Sequence, residues 1–276
     1  MNGVISYYDE HPINEVQIRT ALAREGKAMQ NLVPEDLYDH DQDHYGGIDA
    51  TRRLALVCGI QVSDHVLDIC SGMGGPARLI AHEWDCQVTG IDLNPNRTPS
   101  AARLTALVGL EARVRFVRGD ATSLPFGAES FDRAIGQEAF LHIADTRALF
   151  RECFRVLRPG GRLAFTNWIA LGALSDEERK DLAKGIAFRG VHPLAKYRGF
   201  VTDAGFDPVE AEDVSAHWRC ILRARLEMYR SMEADTVAQF GAERHRAYIT
   251  GYEIFISRIE GKKLGGARFV ATKPLA

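Results

Sequence analysis

The stretch Val66-Leu67-Asp68-Ile69-Cys70-Ser71-Gly72-Met73-Gly74-Gly75-Pro76-Ala77-Arg78-Leu79-Ile80-Ala81 limits what this chain can fold into. It opens as a short apolar run, turns glycine-rich, and closes with apolar residues at helical spacing. That order reads as a buried strand, a tight turn and a helix. Gly72 and Gly74 lack a Cβ, so the turn can take positive φ and let a ligand approach the backbone. Pro76 suits a first helical position. The helix N-terminus directs unpaired N–H groups and a partial positive charge at the turn. Such a unit puts a nucleotide-sized crevice at the carboxyl end of a first parallel strand.

Downstream, strand and helix patterns alternate. Strands are expected over residues 65–69, 87–92, 113–120, 131–135 and 162–167. Helices are expected over 78–84, 94–107 and 146–157. This alternation calls for a parallel sheet covered on both faces. After Trp168 the pattern loosens into helices over 175–187, 197–204, 216–232 and 240–259, with strands over 206–214 and 266–273. Ser175 and Glu178 form a capping-box pair. Residues 1–45 read as lying off the sheet. They include a helix over 14–30 opened by Asn14, and a helix over 48–58 closed by Gly59 follows. The polar and aromatic run from Tyr38 to Gly47 is either a solvated loop or a lid hinged at Gly46-Gly47.

Two more acids stand at strand tips. Asp92 ends the second strand, where a carboxylate can accept hydrogen bonds from ribose hydroxyls. Leu93 beside it offers an apolar face for adenine. Asp120 follows the third strand, where its carboxylate can accept from an adenine amino group while Ala121 supplies an N–H. A turn-capping role would explain either acid alone. A dinucleotide dehydrogenase also places an acid after its second strand, and Ala77 loosely fits the third position of its glycine fingerprint. Asp120 has no role in that fingerprint.

Asp68-x-x-x-Gly72-x-Gly74 resembles motif I of class I S-adenosylmethionine-dependent methyltransferases. The resemblance runs from about Val66 to Trp168 and includes Val156-Leu157-Arg158-Pro159-Gly160-Gly161-Arg162-Leu163. Cys70 departs from it, since glycine is more usual there. The resemblance implies an α/β, doubly wound, Rossmann-like sheet of seven mostly parallel strands, with an antiparallel last strand and a helical lid. It implies S-adenosylmethionine as cofactor, with Asp68 near its ammonium and Gln137 at its methionine end. It divides the chain into a helical cover (1–47), a cofactor-binding core (48–170), and a second helical cover with the last two strands (171–276). The segment His44-Tyr45-Gly46-Gly47 is similar to one preceding the core in small-molecule methyltransferases of the sarcosine/dimethylglycine kind.

The fourth strand runs into Gly136-Gln137-Glu138-Ala139-Phe140-Leu141-His142-Ile143, at the edge that faces the sulfonium in this fold. Glu138, Phe140 and His142 are candidates to face the methyl acceptor, and Glu138, His142 and His44 are candidate bases for an ammonium or hydroxyl proton. Helix capping would equally explain Glu138, and a satisfied core position His142. Tyr7, Tyr8, Tyr38 and Tyr45 could hold a methylated ammonium by cation–π contact or simply pack the cover onto the core. The expected reaction is methyl transfer to a small molecule, with nitrogen favoured over oxygen or carbon. A non-catalytic S-adenosylmethionine or nucleotide-binding module and an NAD(P) oxidoreductase are the alternatives.

Composition trims the choices. A net charge of −3 over 276 residues gives no overall cationic field for nucleic acid or anionic lipid. The cluster Arg219, Arg223, Arg225 and Arg230 reads as a solvated helix face. Five cysteines without a CxxC pattern suggest neither a metal site nor a disulfide framework. No signal-like N-terminus or membrane-length apolar run is seen, so a cytoplasmic protein is expected. A homodimer stays open.

Overall fold

The computed structural model describes residues 2–9, 11, 13–42 and 44–275. Its centre is a seven-stranded sheet ordered β3-β2-β1-β4-β5-β7-β6. The strands are β1 (His65–Ile69), β2 (Gln87–Asp92), β3 (Val114–Arg118), β4 (Phe131–Gln137), β5 (Leu157–Ala170), β6 (Val209–Asp213) and β7 (Leu264–Thr272). β1 to β5 pair in parallel, and β7 lies antiparallel between β5 and β6. The expected antiparallel last strand is present, inside the sheet rather than at its edge. Strand order reverses between β1 and β4. Open α/β sheets form a ligand crevice at such a switch point, outside the carboxyl ends of the strands.

Three short segments precede the core: α1 (Asn2–Asp9), α2 (Glu15–Arg24) and α3 (Tyr38–Asp41). The core helices are α4 (Gly47–Cys58), α5 (Gly75–Trp84), α6 (Arg97–Leu107) and α7 (Thr146–Val156). Five more follow: α8 (Asp176–Ile186), α9 (Leu194–Asp203), α10 (Ser215–Ser231), α11 (Glu233–Phe240) and α12 (Ala242–Glu260).

Alternation along β1 sends Leu67 and Ile69 to one face and Val66 and Asp68 to the other. The first face packs with Phe150 and Val156 of α7 and with Tyr197 and Val201 of α9. The second packs with Leu54 and Cys58 of α4, Leu79 and Ile80 of α5, and Ile18 and Leu22 of α2. A third cluster, with Trp168, Leu182, Trp218, Leu222 and Phe255, joins α8, α10 and α12 to the end of β5. Gly266 in β7 makes that docking possible: a Cβ there would stand 2.3 Å from the Trp218 ring.

Several boundaries differ from the sequence reading, each for a local reason. α2 stops at Arg24 instead of continuing to residue 30, because Gly26 turns left-handed at φ 73 and Lys27 N–H bonds back to Leu22 O. The helix expected over 240–259 begins at Ala242, after Gly241 at φ 84, and is α12; α11 ahead of it had no counterpart in the sequence reading. α6 begins at Arg97 rather than Asn94, since Asn94 Oδ1 accepts the N–H groups of Asn96 and Arg97. α1 had no counterpart in the sequence reading.

Candidate active site

The turn after β1 carries three left-handed residues: Cys70 (φ 61), Gly72 (φ 52) and Gly74 (φ 79). Ser71 N–H donates to Ile91 O at 3.0 Å, and Gly74 N–H to Ser71 O at 2.8 Å, so the turn is tied to β2 and to itself. Gly74 also makes room for the Phe116 ring of β3, which a Cβ there would meet at 2.4 Å. Gly74 therefore shapes the turn from behind. Gly72 lines a cavity of about 800 Å³.

That cavity sits at the switch point and gathers most of the residues singled out in the sequence. Gly72, Asp92, Leu93, Asp120, Ala121, Gln137, Glu138, His142 and His44 all line it; Asp68 and Gly74 lie behind its wall. Asp92 Oδ2 accepts Gly72 N–H at 2.8 Å, and its Oδ1 accepts Asn94 N–H at 2.9 Å. Burial lifts the Asp92 carboxyl above its ordinary value, against those N–H groups. Asp120 Oδ1 accepts the backbone N–H and the hydroxyl of Thr122, at 2.8 and 2.7 Å. Asp68 is buried, and burial, followed by the charge of Asp92, pushes its carboxyl up to about 8. Asp68 Oδ2, Ser71 Oγ and Gln137 Nε2 are buried without a hydrogen-bond partner among the described residues. Buried polar atoms normally find partners, and Ser71 and Gln137 line the cavity, so these two orphans fit a polar ligand.

The turn after β4 carries the second half of the site. Glu138 is left-handed at φ 57, and its N–H donates to Thr166 O at 2.8 Å. Its Oε1 accepts Tyr45 N–H at 2.8 Å, across the cavity from a different element. His142 Nδ1 lies 3.2 Å from Ala187 O, and its Nε2 lies 2.9 Å from Tyr8 OH. A carbonyl only accepts, so Nδ1 carries the hydrogen, Nε2 is the ring's acceptor, and the Tyr8 hydroxyl donates to it. Burial pulls the His142 imidazole down to about 4 and drives the Tyr8 phenol far above its usual range. Both are neutral near pH 7.

The covers close the rest. Of the four tyrosines considered as ammonium contacts, Tyr7, Tyr8 and Tyr45 line the cavity. Tyr38 is instead packed into the core beneath. The Tyr45 ring meets Trp168 and Trp218 at centroid distances of 5.6 and 4.8 Å. Within the run from Tyr38 to Gly47, Tyr38–Asp41 is helical, and Asp43 lies outside the described residues. Asp41 forms a fully buried ion pair with Arg78, at 2.8 Å.

Sequence reasoning passed over a cationic and aromatic wall. Arg225 is not a solvated residue of the arginine cluster. Its Nη2 donates to His44 O at 2.7 Å, and its guanidinium stands 5.3 Å over the Tyr45 ring. Arg223 and Arg230 do face outward, pairing with Glu260 and Glu253. With Arg189, Arg244, Tyr229, Tyr248 and Tyr252, Arg225 lines the cavity. The available signal was spacing: Arg225 and Tyr229 are four apart, as are Arg244, Tyr248 and Tyr252, which puts each set on one helix face.

A family model described as a methyltransferase domain matches residues 67–165, from β1 into β5. The chain is 29% identical over 230 residues to a phosphoethanolamine N-methyltransferase of Triticum aestivum, covering 83% of this chain and 45% of that protein. This chain thus spans about half the length of such plant relatives. It is 31% identical over 229 residues to the 27-O-demethylrifamycin SV methyltransferase of Amycolatopsis mediterranei, covering 81% of this chain and 82% of that one. Among solved structures, phosphoethanolamine N-methyltransferase 2 of Haemonchus contortus shares the fold. That structure, in complex with phosphomonomethylethanolamine and S-adenosylhomocysteine, gives a TM-score of 0.80 at 24% identity and covers 97% of this chain and 59% of its own. Identity spread over four fifths of both chains, together with the matched domain, decides against the dinucleotide alternative: the chain belongs to the class I S-adenosylmethionine-dependent methyltransferases.

Proposed function

We propose that this protein transfers a methyl group from S-adenosylmethionine to the nitrogen of a small amine that also carries an anionic group. The observation carrying this reading is the split polarity of one partly enclosed cavity. Carboxylates stand on the side of β2 and β3, and Arg189, Arg225 and Arg244 line it among aromatic rings. Relatives at comparable identity act, by their names, at nitrogen or oxygen, so the acceptor atom rests on the cavity and not on kinship.

The residues fit the cofactor. Each oxygen of Asp92 holds one backbone N–H, and a carboxylate has further lone pairs for the two ribose hydroxyls. Leu93 and Ala121 border adenine, and Asp120 takes its amino group. Gln137 Nε2 serves the methionine carboxylate, and Asp68, behind the wall, faces the ammonium through water. Bound there, S-adenosylmethionine supplies a sulfonium methyl whose S–C bond breaks as the acceptor's C–N bond forms, leaving S-adenosylhomocysteine.

The chain's own work is positioning and proton handling. Tyr8 donates its hydrogen to His142 Nε2, so the phenol oxygen turns its lone pairs toward the acceptor's N–H. That contact aims the nitrogen lone pair at the methyl and gives the proton a path through Tyr8 to His142. Glu138 faces the developing ammonium, and the Tyr45–Trp168 pair lies against it by cation–π contact. Holding the reactants aligned is worth about 7–11 kcal/mol of barrier, without covalent catalysis. Residues 1–47 and the helical part of 171–276 act as covers that exclude water, over the core of residues 48–170.

The test is formation of S-adenosylhomocysteine with purified protein and a panel of acceptors. Phosphoethanolamine, sarcosine, uncharged amines and a phenolic macrocycle separate the classes. Turnover confined to amines bearing an anionic group supports the proposal. Turnover of the phenol alone would move the reaction to oxygen, a reading favoured by the relative that matches over 82% of its length. Binding of the cofactor with no acceptor methylated would make this a binding module and overturn the proposal.

A further inference from the structure

Arg97 opens α6, on the loop that follows the Asp92 strand tip, and is almost fully buried. Its Nη2 donates to Tyr8 O and Ile13 O, both at 3.2 Å, so one guanidinium grips the chain on either side of the α1 C-terminus. The same guanidinium stands 4.7 Å over the Tyr8 ring. Its Nη1 would sit 3.4 Å from a Cβ on Gly72, which places it against the glycine turn. Two neighbours strengthen the hold. Asn94 Nδ2 and Asn96 Nδ2 donate to Asp9 Oδ1 at 2.9 and 3.1 Å, and Asn94 N–H is itself bound by Asp92. One short loop therefore touches the acid assigned to ribose, the glycine turn and the helix that carries Tyr8.

We infer that Arg97 is a positioning residue: it fixes Tyr8 on His142 and couples placement of α1 to occupancy of the cofactor loop. This rests on the proposed role of Tyr8. Arg97 carries no proton in the reaction. It sets the ring plane of Tyr8 by cation–π contact and the backbone of Tyr8 by hydrogen bond, so the hydroxyl arrives at His142 Nε2 in one geometry. Ligand at Asp92 stiffens the loop that holds α1, and by reciprocity a docked α1 tightens the cofactor.

The experiment is a double-mutant cycle with Arg97→Met and Tyr8→Phe on the full chain, read as turnover, with hydrogen exchange of the α1 amides followed in parallel. Arg97→Met should lower kcat by roughly 100-fold, the cost of a misplaced catalytic group. In the Tyr8→Phe background the same change should cost less than about threefold, because its target is already gone. S-adenosylhomocysteine should slow exchange across α1 in wild type and fail to do so in Arg97→Met. Arg97→Lys, which keeps a donor and a charge, should restore part of both readouts, and the cycle is repeated with it should the methionine variant not fold. Losses that multiply independently, or α1 protection that survives in Arg97→Met, would overturn the inference. Full turnover in Tyr8→Phe would overturn the catalytic reading of Tyr8, while the exchange measurement would still decide whether Arg97 holds α1.

Discussion

Asp92 and Asp68 show how two carboxylates on adjacent strands come to have different work. Asp92 stands at the cavity edge with one backbone donor on each oxygen, and a diol would complete its shell. Charge-assisted hydrogen bonds are worth roughly 1.5–3 kcal/mol, so Asp92→Ala should weaken S-adenosylhomocysteine binding by about 10- to 100-fold in calorimetry. Asp68 is buried behind the turn with its carboxyl pushed up to about 8. Between the ordinary carboxyl value and that one, the folded state binds more protons than the unfolded. The group's contribution to stability is thus present on the acid side and lost as pH rises through about 8. Asp68→Asn should therefore gain in melting temperature on wild type at alkaline pH and lose that advantage on acidification. In wild type, an ammonium arriving beside Asp68 favours the ionised form, so cofactor affinity should climb as pH rises toward 8, with proton release visible in buffers of different ionisation enthalpy. These acids were legible because Asp92 ends, and Asp68 stands one residue from the end of, a strand whose apolar run announces it. The Tyr8–His142 pair was not: its partners lie 134 residues apart, and no periodicity links a short N-terminal helix to a turn after β4.

At the level of elements, a buried charge pair ties α3 to the core. Arg78 Nη2 reaches Asp41 at 2.8 Å and Met73 O at 2.7 Å, while Nη1 takes Ala101 O and Thr105 Oγ1. One side chain on α5 thus joins α3, the glycine turn and α6. Burial pushes the Asp41 carboxyl up, and Arg78 opposes it. Arg78→Met would strand that carboxylate, so it should destabilise the fold by about 3–5 kcal/mol in urea titration. Adding Asp41→Asn should return part of the loss, since the stranded charge is then gone. In the sequence, nothing singles out Arg78 at the start of the helix expected over 78–84, because only the docking of α3 turns that side chain inward. The sheet was easier: its strands are apolar runs bounded by turn residues, and burial between two helix layers makes such runs continuous. Helix ends were missed where a single glycine decided them, as at Gly26 and Gly241.

For the molecule as a whole, the overall field cannot bring the proposed anionic acceptor to the site, because the net charge is −3. The attraction has to be local, and α10 and α12 supply it. Arg225 is committed to His44 O and the Tyr45 ring. Arg244, 5.8 Å from the Tyr248 ring centroid and on the cavity lining, is a different side chain from the one that makes those two contacts. Removing one charge-assisted hydrogen bond from a partly enclosed site costs on the order of 1.4 kcal/mol, which is tenfold in affinity. Arg244→Gln should therefore raise KM for an amine bearing a phosphate or carboxylate by about tenfold, leave KM for an uncharged amine unchanged, and spare cofactor affinity. The wild-type preference should also narrow as salt is raised, since exposed parts of that field are screened beyond about 8 Å at physiological ionic strength. A variant that weakens both amines equally would mean that Arg244 shapes the wall rather than reads the charge. That result would leave the acceptor to be chosen by the aromatic rings and by Glu138.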